Sequence, residues 1–173
     1  MHAFAGEPPI EEAVREALLD ADATVAIAET ATGGLVTALL TAVPGASEYV
    51  DRAFVPYSYD PLREQLGITR EELDAEGVVS APVTRQLARR ARDVADATWG
   101  VATTGIAGPG GGTPKKPVGT AHVAVAYAGA WGEESSYATV ETREFGGDRA
   151  AVRERTSRAA LALLAEHARS PEA

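Results

Sequence analysis

Residues 24–43 read TVAIAETATGGLVTALLTAV. TVAIA, at 24–28, is a short apolar run with β-branched side chains, the composition of a buried strand. Thr32-Gly33-Gly34 supply a sharp turn. LVTALLTAV then reads as a helix, stopped by Pro44-Gly45. Strand, tight turn and helix in that order put Glu29 to Gly34 at the carboxyl end of a strand and the amino end of a helix. A strand that feeds directly into a helix is the building block of layered α/β domains.

The flanking sequence extends the pattern. Upstream, Pro8 and Pro9 suit the opening turn of a helix in which Ile10, Val14, Ala17, Leu18 and Ala21 recur at helical spacing. Downstream, a second strand is expected around Glu48–Ser58, then short helical pieces through Ala75. Residues 82–97 read as a helix with Val83, Leu87, Ala91, Val94 and Ala95 on one face and arginines outside. WGVATTGIA at 99–107 reads as a core strand. It runs into a loop that holds six Gly and three Pro in the fifteen residues Gly105 to Gly119, which excludes regular structure. Residues 118–127 and 135–145 read as paired strands joined by a turn around Gly129–Gly132. A last helix starts near Gly147-Asp148 with Asp148 as N-cap, and Val152, Thr156, Ala159, Leu163 and Leu164 point inward.

Composition narrows the class. The 173 residues suit one domain, 45% of them are hydrophobic, and no apolar run approaches the roughly 20 residues that span a bilayer. The N-terminus lacks the basic start and apolar stretch of a signal peptide. Cys is absent, which excludes disulfides, thiolate zinc sites and a cysteine nucleophile. The net charge of −9 argues against nucleic-acid binding, which needs a basic face. These features describe a soluble cytoplasmic domain without membrane or nucleic-acid partners. Only Lys115 and Lys116 are lysines, a bias that fits either a halophilic setting or a GC-rich genome.

Two segments share a physical logic: AIAETATGG at 26–34 and VATTGIAGPGGG at 101–112 each deliver hydroxyls and glycines from a strand into a turn. Ligands of open α/β sheets bind beyond the carboxyl ends of strands, and the backbone N–H groups of glycine-rich turns bind anions. Glycines also simply permit turns. The functional alternative is a pocket for a phosphate-bearing small molecule, lined by Thr30, Thr32, Thr103 and Thr104. The glycine run matches neither a dinucleotide fingerprint nor a Walker loop, and no Gly-x-Ser-x-Gly elbow occurs. His2, His122 and His167 are scattered, and His122 reads as packed or capped. No metal or cofactor is expected. Tyr57-Ser58-Tyr59-Asp60, before Pro61, reads equally as a strand-terminating turn or a site.

AETATGGLVTALLTAVPGASEY, YSYDPLREQLGI, GVVS, TTGIAGPGGGTPKKPVGTAHVAVA and FGGDRAAVRERTSRAAL closely resemble the C-terminal domain of the competence/damage-inducible CinA family, from about residue 8 to residue 167. The resemblance implies a three-layer α/β/α domain with a central mixed sheet, self-associated into a homo-oligomer, in its stand-alone form. It also implies a nicotinamide-nucleotide amidase, converting nicotinamide mononucleotide to nicotinic acid mononucleotide and ammonia, with this pyridine nucleotide as the small-molecule partner. Carried over by position, the nucleophile falls on Thr30, where the family has Ser, and the catalytic tyrosine on Tyr57. Substrate contacts fall on Glu29, Thr32, Gly33, Gly34, Thr104, Gly105, Gly108, Gly110 and Arg149.

Two positions depart from the family pattern. Thr30 keeps a hydroxyl of an established nucleophile type. Leu62 stands where the family has its lysine, and an aliphatic chain cannot accept a proton. Tyr57, Tyr59, Asp60 and Glu29 are the candidate substitutes. The alternative to an enzyme is a nucleotide-binding or regulatory module that kept the pocket and lost the proton relay.

Overall fold

The computed structural model describes residues 3–170, so His2 lies outside the described residues. One five-stranded sheet divides the molecule. Strands β1 (Val25–Glu29), β2 (Val50–Phe54), β3 (Trp99–Gly105), β4 (Thr120–Tyr127) and β5 (Tyr137–Glu144) lie in the order β2-β1-β3-β4-β5. β2, β1 and β3 run parallel, while β4 and β5 are antiparallel to their neighbours. The sheet is therefore mixed, and its fold class is α/β.

Side-chain alternation sorts the strands' residues between two cores. Val25, Ile27, Trp99, Val101, Val123 and Val125 face helices α1 (Ile10–Asp20), α2 (Leu35–Thr41) and α6 (Arg149–Arg169). The opposite face is built from Ala26, Ala28, Ala102, Ala124 and Ala126, against α3 (Tyr59–Leu66), α4 (Arg70–Glu76) and α5 (Ala81–Ala95). Small residues on that face let α5 approach closely: a Cβ on Gly100 would overlap the carbonyl of Ala88. Three layers result, with bulky aliphatics under one helical layer and alanine under the other.

Several element ends differ from the sequence expectation, and backbone chemistry accounts for them. β2 is shorter than 48–58 because Ala46–Glu48 close a 3-10 turn after Gly45 at φ 86°, and Pro56 has no N–H for a ladder. Pro9 is the N-cap of α1 rather than part of its first turn, which leaves Pro8 outside. α5 ends at Asp96, left-handed at φ 52°. Its buried stripe is centred on Thr84, Ala88 and Ala91, so Val94 falls at the edge and is 45% exposed. β3 stops at Gly105 because the Thr120 N–H turns back to the Pro117 carbonyl and leaves the Ile106 carbonyl to the Gly119 N–H, which breaks the ladder with β4. Asp148 caps α6 as expected, accepting from the Ala151 N–H at 2.9 Å.

Candidate active site

β1 and β3 are parallel neighbours paired from Val25↔Trp99 to Glu29↔Thr103. Their carboxyl ends therefore open side by side, and the turns that follow meet. The Thr30 N–H donates to the Thr103 carbonyl at 3.1 Å, and the Thr30 hydroxyl donates to the same carbonyl at 3.1 Å. Among the described residues, that carbonyl is the only hydrogen-bond partner of Thr30 Oγ1.

The other threonines of the two turns point away from the opening. Thr32 Oγ1 and Thr103 Oγ1 lie 2.7 Å apart, and both residues are fully buried. Thr104 Oγ1 sits 2.7 Å from Thr84 Oγ1, which itself donates to the Ser80 carbonyl at 2.7 Å. Thr104 therefore donates to Thr84. Alternation along β3 explains the split: Thr103 joins the α2 side of the sheet and Thr104 the α5 side. The first pair ties the two turns to each other, and the second ties the end of β3 to α5.

Glu29 is also internal. Its carboxylate accepts from the N–H groups of Val36 and Thr37 at 3.0 and 2.9 Å, and from the Thr37 hydroxyl at 2.7 Å. It thus caps α2, whose own N-cap is Gly34 in the left-handed region at φ 89°. A carboxylate at a helix N-terminus satisfies orphan donors and complements the macrodipole. This placement removes Glu29, Thr32 and Thr104 from the surface available to a ligand.

A cavity of about 370 Å³ opens over the turns. Of the residues singled out in the sequence, Thr30, Tyr57, Gly105, Gly108, Gly110 and Arg149 line it, whereas Gly33 and Gly34 do not. Of the four candidate proton acceptors, Tyr57 and Tyr59 reach the cavity, and Glu29 and Asp60 do not. Leu62 lines it while also being buried in the α3–α5 core. Among the described residues, Arg149 is the sole charged side chain in the lining. In a chain of net charge −9, that composition favours an anion locally.

Helix α6 supplies two guanidinium groups one turn apart. Arg149 donates to the Gly108 carbonyl at 2.7 Å and to the Tyr57 hydroxyl at 3.0 Å, which joins the glycine loop to the tyrosine. Arg153 donates through Nε and Nη2 to the Thr32 carbonyl, at 3.0 and 2.6 Å. A Cβ on Gly33 would come within 3.3 Å of that Nη2, and Gly33 adopts φ 60°, so the turn accommodates glycine best. Sequence reading missed Arg153, as well as Val78 and Val79, which form one wall of the cavity. Helical spacing from Arg149 was the available signal for Arg153. The two valines stand in the GVVS stretch that matches the family, and nothing in that match assigned them to the cavity.

His122 is buried on β4. Its Nδ1 lies 2.9 Å from Thr142 Oγ1, and Nε2 has no hydrogen-bond partner among the described residues. Burial, and then the Lys116 cation, push its pKa below the ordinary imidazole value. Among the described residues no group of three or more His, Asp or Glu is placed to hold a metal ion, and no helix is long and apolar enough to cross a membrane.

A model of the CinA C-terminal domain matches residues 7–168. The chain belongs to the CinA C-terminal domain family. A CinA-like protein of Anaeromyxobacter sp. (strain K) is 46% identical over 159 residues, covering 92% of this chain and 37% of that protein. A CinA-like protein of Chlorobium limicola is 40% identical over 156 residues, covering 90% and 36%. The chain thus spans little more than a third of the length of these curated relatives. Among solved structures, the competence/damage inducible protein CihA from Agrobacterium tumefaciens aligns with a TM-score of 0.83 at 38% identity, covering 95% of this chain and 97% of that one. The CinA superfamily protein from Enterobacter cloacae aligns with a TM-score of 0.85 at 26% identity, covering 95% and 94%. The three-layer arrangement around a mixed sheet is therefore that of the CinA superfamily.

Proposed function

We propose that this CinA-family chain is an amidohydrolase of the nicotinamide-nucleotide amidase type, which hydrolyses the carboxamide of nicotinamide mononucleotide and releases ammonia. One observation carries the reading: the Thr30 hydroxyl and the Arg149 guanidinium line a single cavity that contains no carboxylate. Phosphate would sit against Arg149 and the Gly105–Gly111 backbone, which leaves the carboxamide toward Thr30. Thr30 Oγ1 attacks the amide carbon, its proton passes to a tyrosine oxygen of the lining, and that proton leaves with ammonia. Water then hydrolyses the resulting ester through the same relay. Tyr57, held by Arg149, is the first candidate for the relay, and Tyr59 is the second. Loss of a dedicated base costs about 10²–10⁴ in rate, so turnover is expected to be slow.

A second reading, a nucleotide-binding module without catalysis, is favoured by the bond that Thr30 makes to a backbone carbonyl and by Leu62 at the lysine position. Purified protein incubated with nicotinamide mononucleotide, at low and at multimolar salt, separates the two. Ammonia release that Thr30→Ala abolishes supports the amidase. Calorimetric binding with no release from the unaltered protein establishes the module. Release that survives Thr30→Ala removes Thr30 as nucleophile.

A further inference from the structure

The glycine-rich excursion between β3 and β4 has a definite shape. At its base the Ile106 N–H donates to the Thr120 carbonyl and the Gly119 N–H to the Ile106 carbonyl, both at 2.8 Å. At its tip Thr113 and Lys116 exchange backbone hydrogen bonds of 2.8 and 3.1 Å, a closed turn. From that turn the Lys116 side chain crosses to the connection between α4 and α5. Its ammonium donates to the Val79 carbonyl at 2.6 Å and to the Glu76 carbonyl at 3.2 Å. Among the described residues these are the only hydrogen bonds between the 107–117 excursion and residues 76–80.

Lys116 therefore spans two walls of the cavity, since Val78 and Val79 line one side and Gly108, Gly110 and Gly111 the other. Glu76 is the last residue of α4, where orphan carbonyls and the negative end of the macrodipole favour a cation. Residues 76–80 are fixed from behind as well, because Ser80 donates to the Gly77 carbonyl at 2.9 Å and Thr84 to the Ser80 carbonyl at 2.7 Å. The six glycines over Gly105–Gly119 give the excursion much backbone entropy to lose on ordering, which its three prolines offset only in part.

We propose that Lys116 is a positioning residue that straps the glycine loop to the α4–α5 connection and so preorganises the cavity for an anionic ligand. Rigidity supplied in advance lowers the ordering cost of binding, so the strap sets affinity rather than the chemical step. The binding half rests on the reading of this cavity as the mononucleotide site; the strap itself does not.

The test uses Lys116→Met, which keeps the aliphatic stem, with Lys116→Arg as the conservative rescue. Amide hydrogen exchange of residues 107–117 is measured without ligand, and nicotinamide mononucleotide is titrated calorimetrically. Lys116→Met is expected to speed exchange in the loop at least tenfold, raise Kd at least tenfold, and leave the Tm within about 2 °C. Lys116→Arg is expected to recover most of both effects. Unchanged loop exchange in Lys116→Met overturns the strap. Faster exchange with unchanged Kd overturns its role in preorganisation. If the unaltered protein binds no mononucleotide, the proposed function fails, and the exchange arm still decides the strap.

Discussion

Leu62 is where sequence, structure and chemistry pull against one another. It is 1% exposed and belongs to the α3–α5 core, yet its side chain also borders the cavity. A lysine here would keep an aliphatic stem in the core and extend its ammonium into the cavity, as long cationic side chains do. Leu62→Lys is therefore expected to raise ammonia release from nicotinamide mononucleotide at least tenfold while lowering unfolding free energy by about 1–3 kcal/mol. Steady-state kinetics with urea unfolding on the same preparation checks both halves, and the loss of stability without the gain would show that the Thr30 turn is not aligned with α3. At this scale the sequence was informative where a motif names a position, as for Thr30, Tyr57 and Arg149. It misjudged which hydroxyls face the cavity, since of Thr30, Thr32, Thr103 and Thr104 only Thr30 lines it. Thr103 and Thr104 are chemically alike, and strand alternation, with the partners Thr32 and Thr84, directs both into the protein.

Element ends were less legible than element identities, because ends are decided by hydrogen bonds to distant residues. A strand at 99–107 and a last helix from about Asp148 were foreseen from their apolar patterns, but β3 ends at Gly105, and where it stops depends on Thr120. The clearest case is the start of α2. Gly34 offers no side-chain cap, so Glu29, five residues earlier, supplies one from within β1. Strand, turn and helix are thereby locked as a unit, with Thr30 held between them. Glu29→Gln replaces one accepting oxygen by a donor that faces N–H groups. It is expected to destabilise the protein by about 1.5–3 kcal/mol, the range for buried hydrogen bonds to a charged group. Chemical denaturation measures the loss, and amide exchange at Val36 and Thr37 should show it first. A change under about 0.5 kcal/mol would mean that the α2 terminus is satisfied some other way.

At the scale of the whole molecule, helix α6, which carries Arg149 and Arg153, is fastened to its layer neighbour α1 by a buried ionic triad. Arg158 donates to Glu11 at 3.2 Å and to Glu154 at 3.0 Å, with all three side chains no more than 9% exposed. Glu154 also accepts the Phe4 N–H at 3.1 Å, and the Arg155 guanidinium lies 4.3 Å above the Phe4 ring. Composition could not reveal this, since Glu11, Glu154 and Arg158 each look like members of a solvated helix face until α1 and α6 are laid together. Burial acts to raise the Glu154 carboxyl, but the Phe4 N–H and Arg158 outweigh it and hold the pKa below the ordinary value. Its contribution to stability is accordingly present above the usual carboxylate range and lost as pH falls through the lowered value. Arg158→Ala leaves two buried carboxylates without their cation, at an expected cost of about 3–5 kcal/mol at pH 7.5. In the variant Glu154 is buried without its guanidinium and takes up a proton more readily than in the unfolded chain, so acid relieves the variant while it weakens the parent protein. The difference between the two is therefore expected to narrow steadily from pH 7.5 to pH 4. A denaturation series across that interval checks the sign, and a gap that stays constant or widens toward acid would show that the triad's charges are not what join α6 to α1.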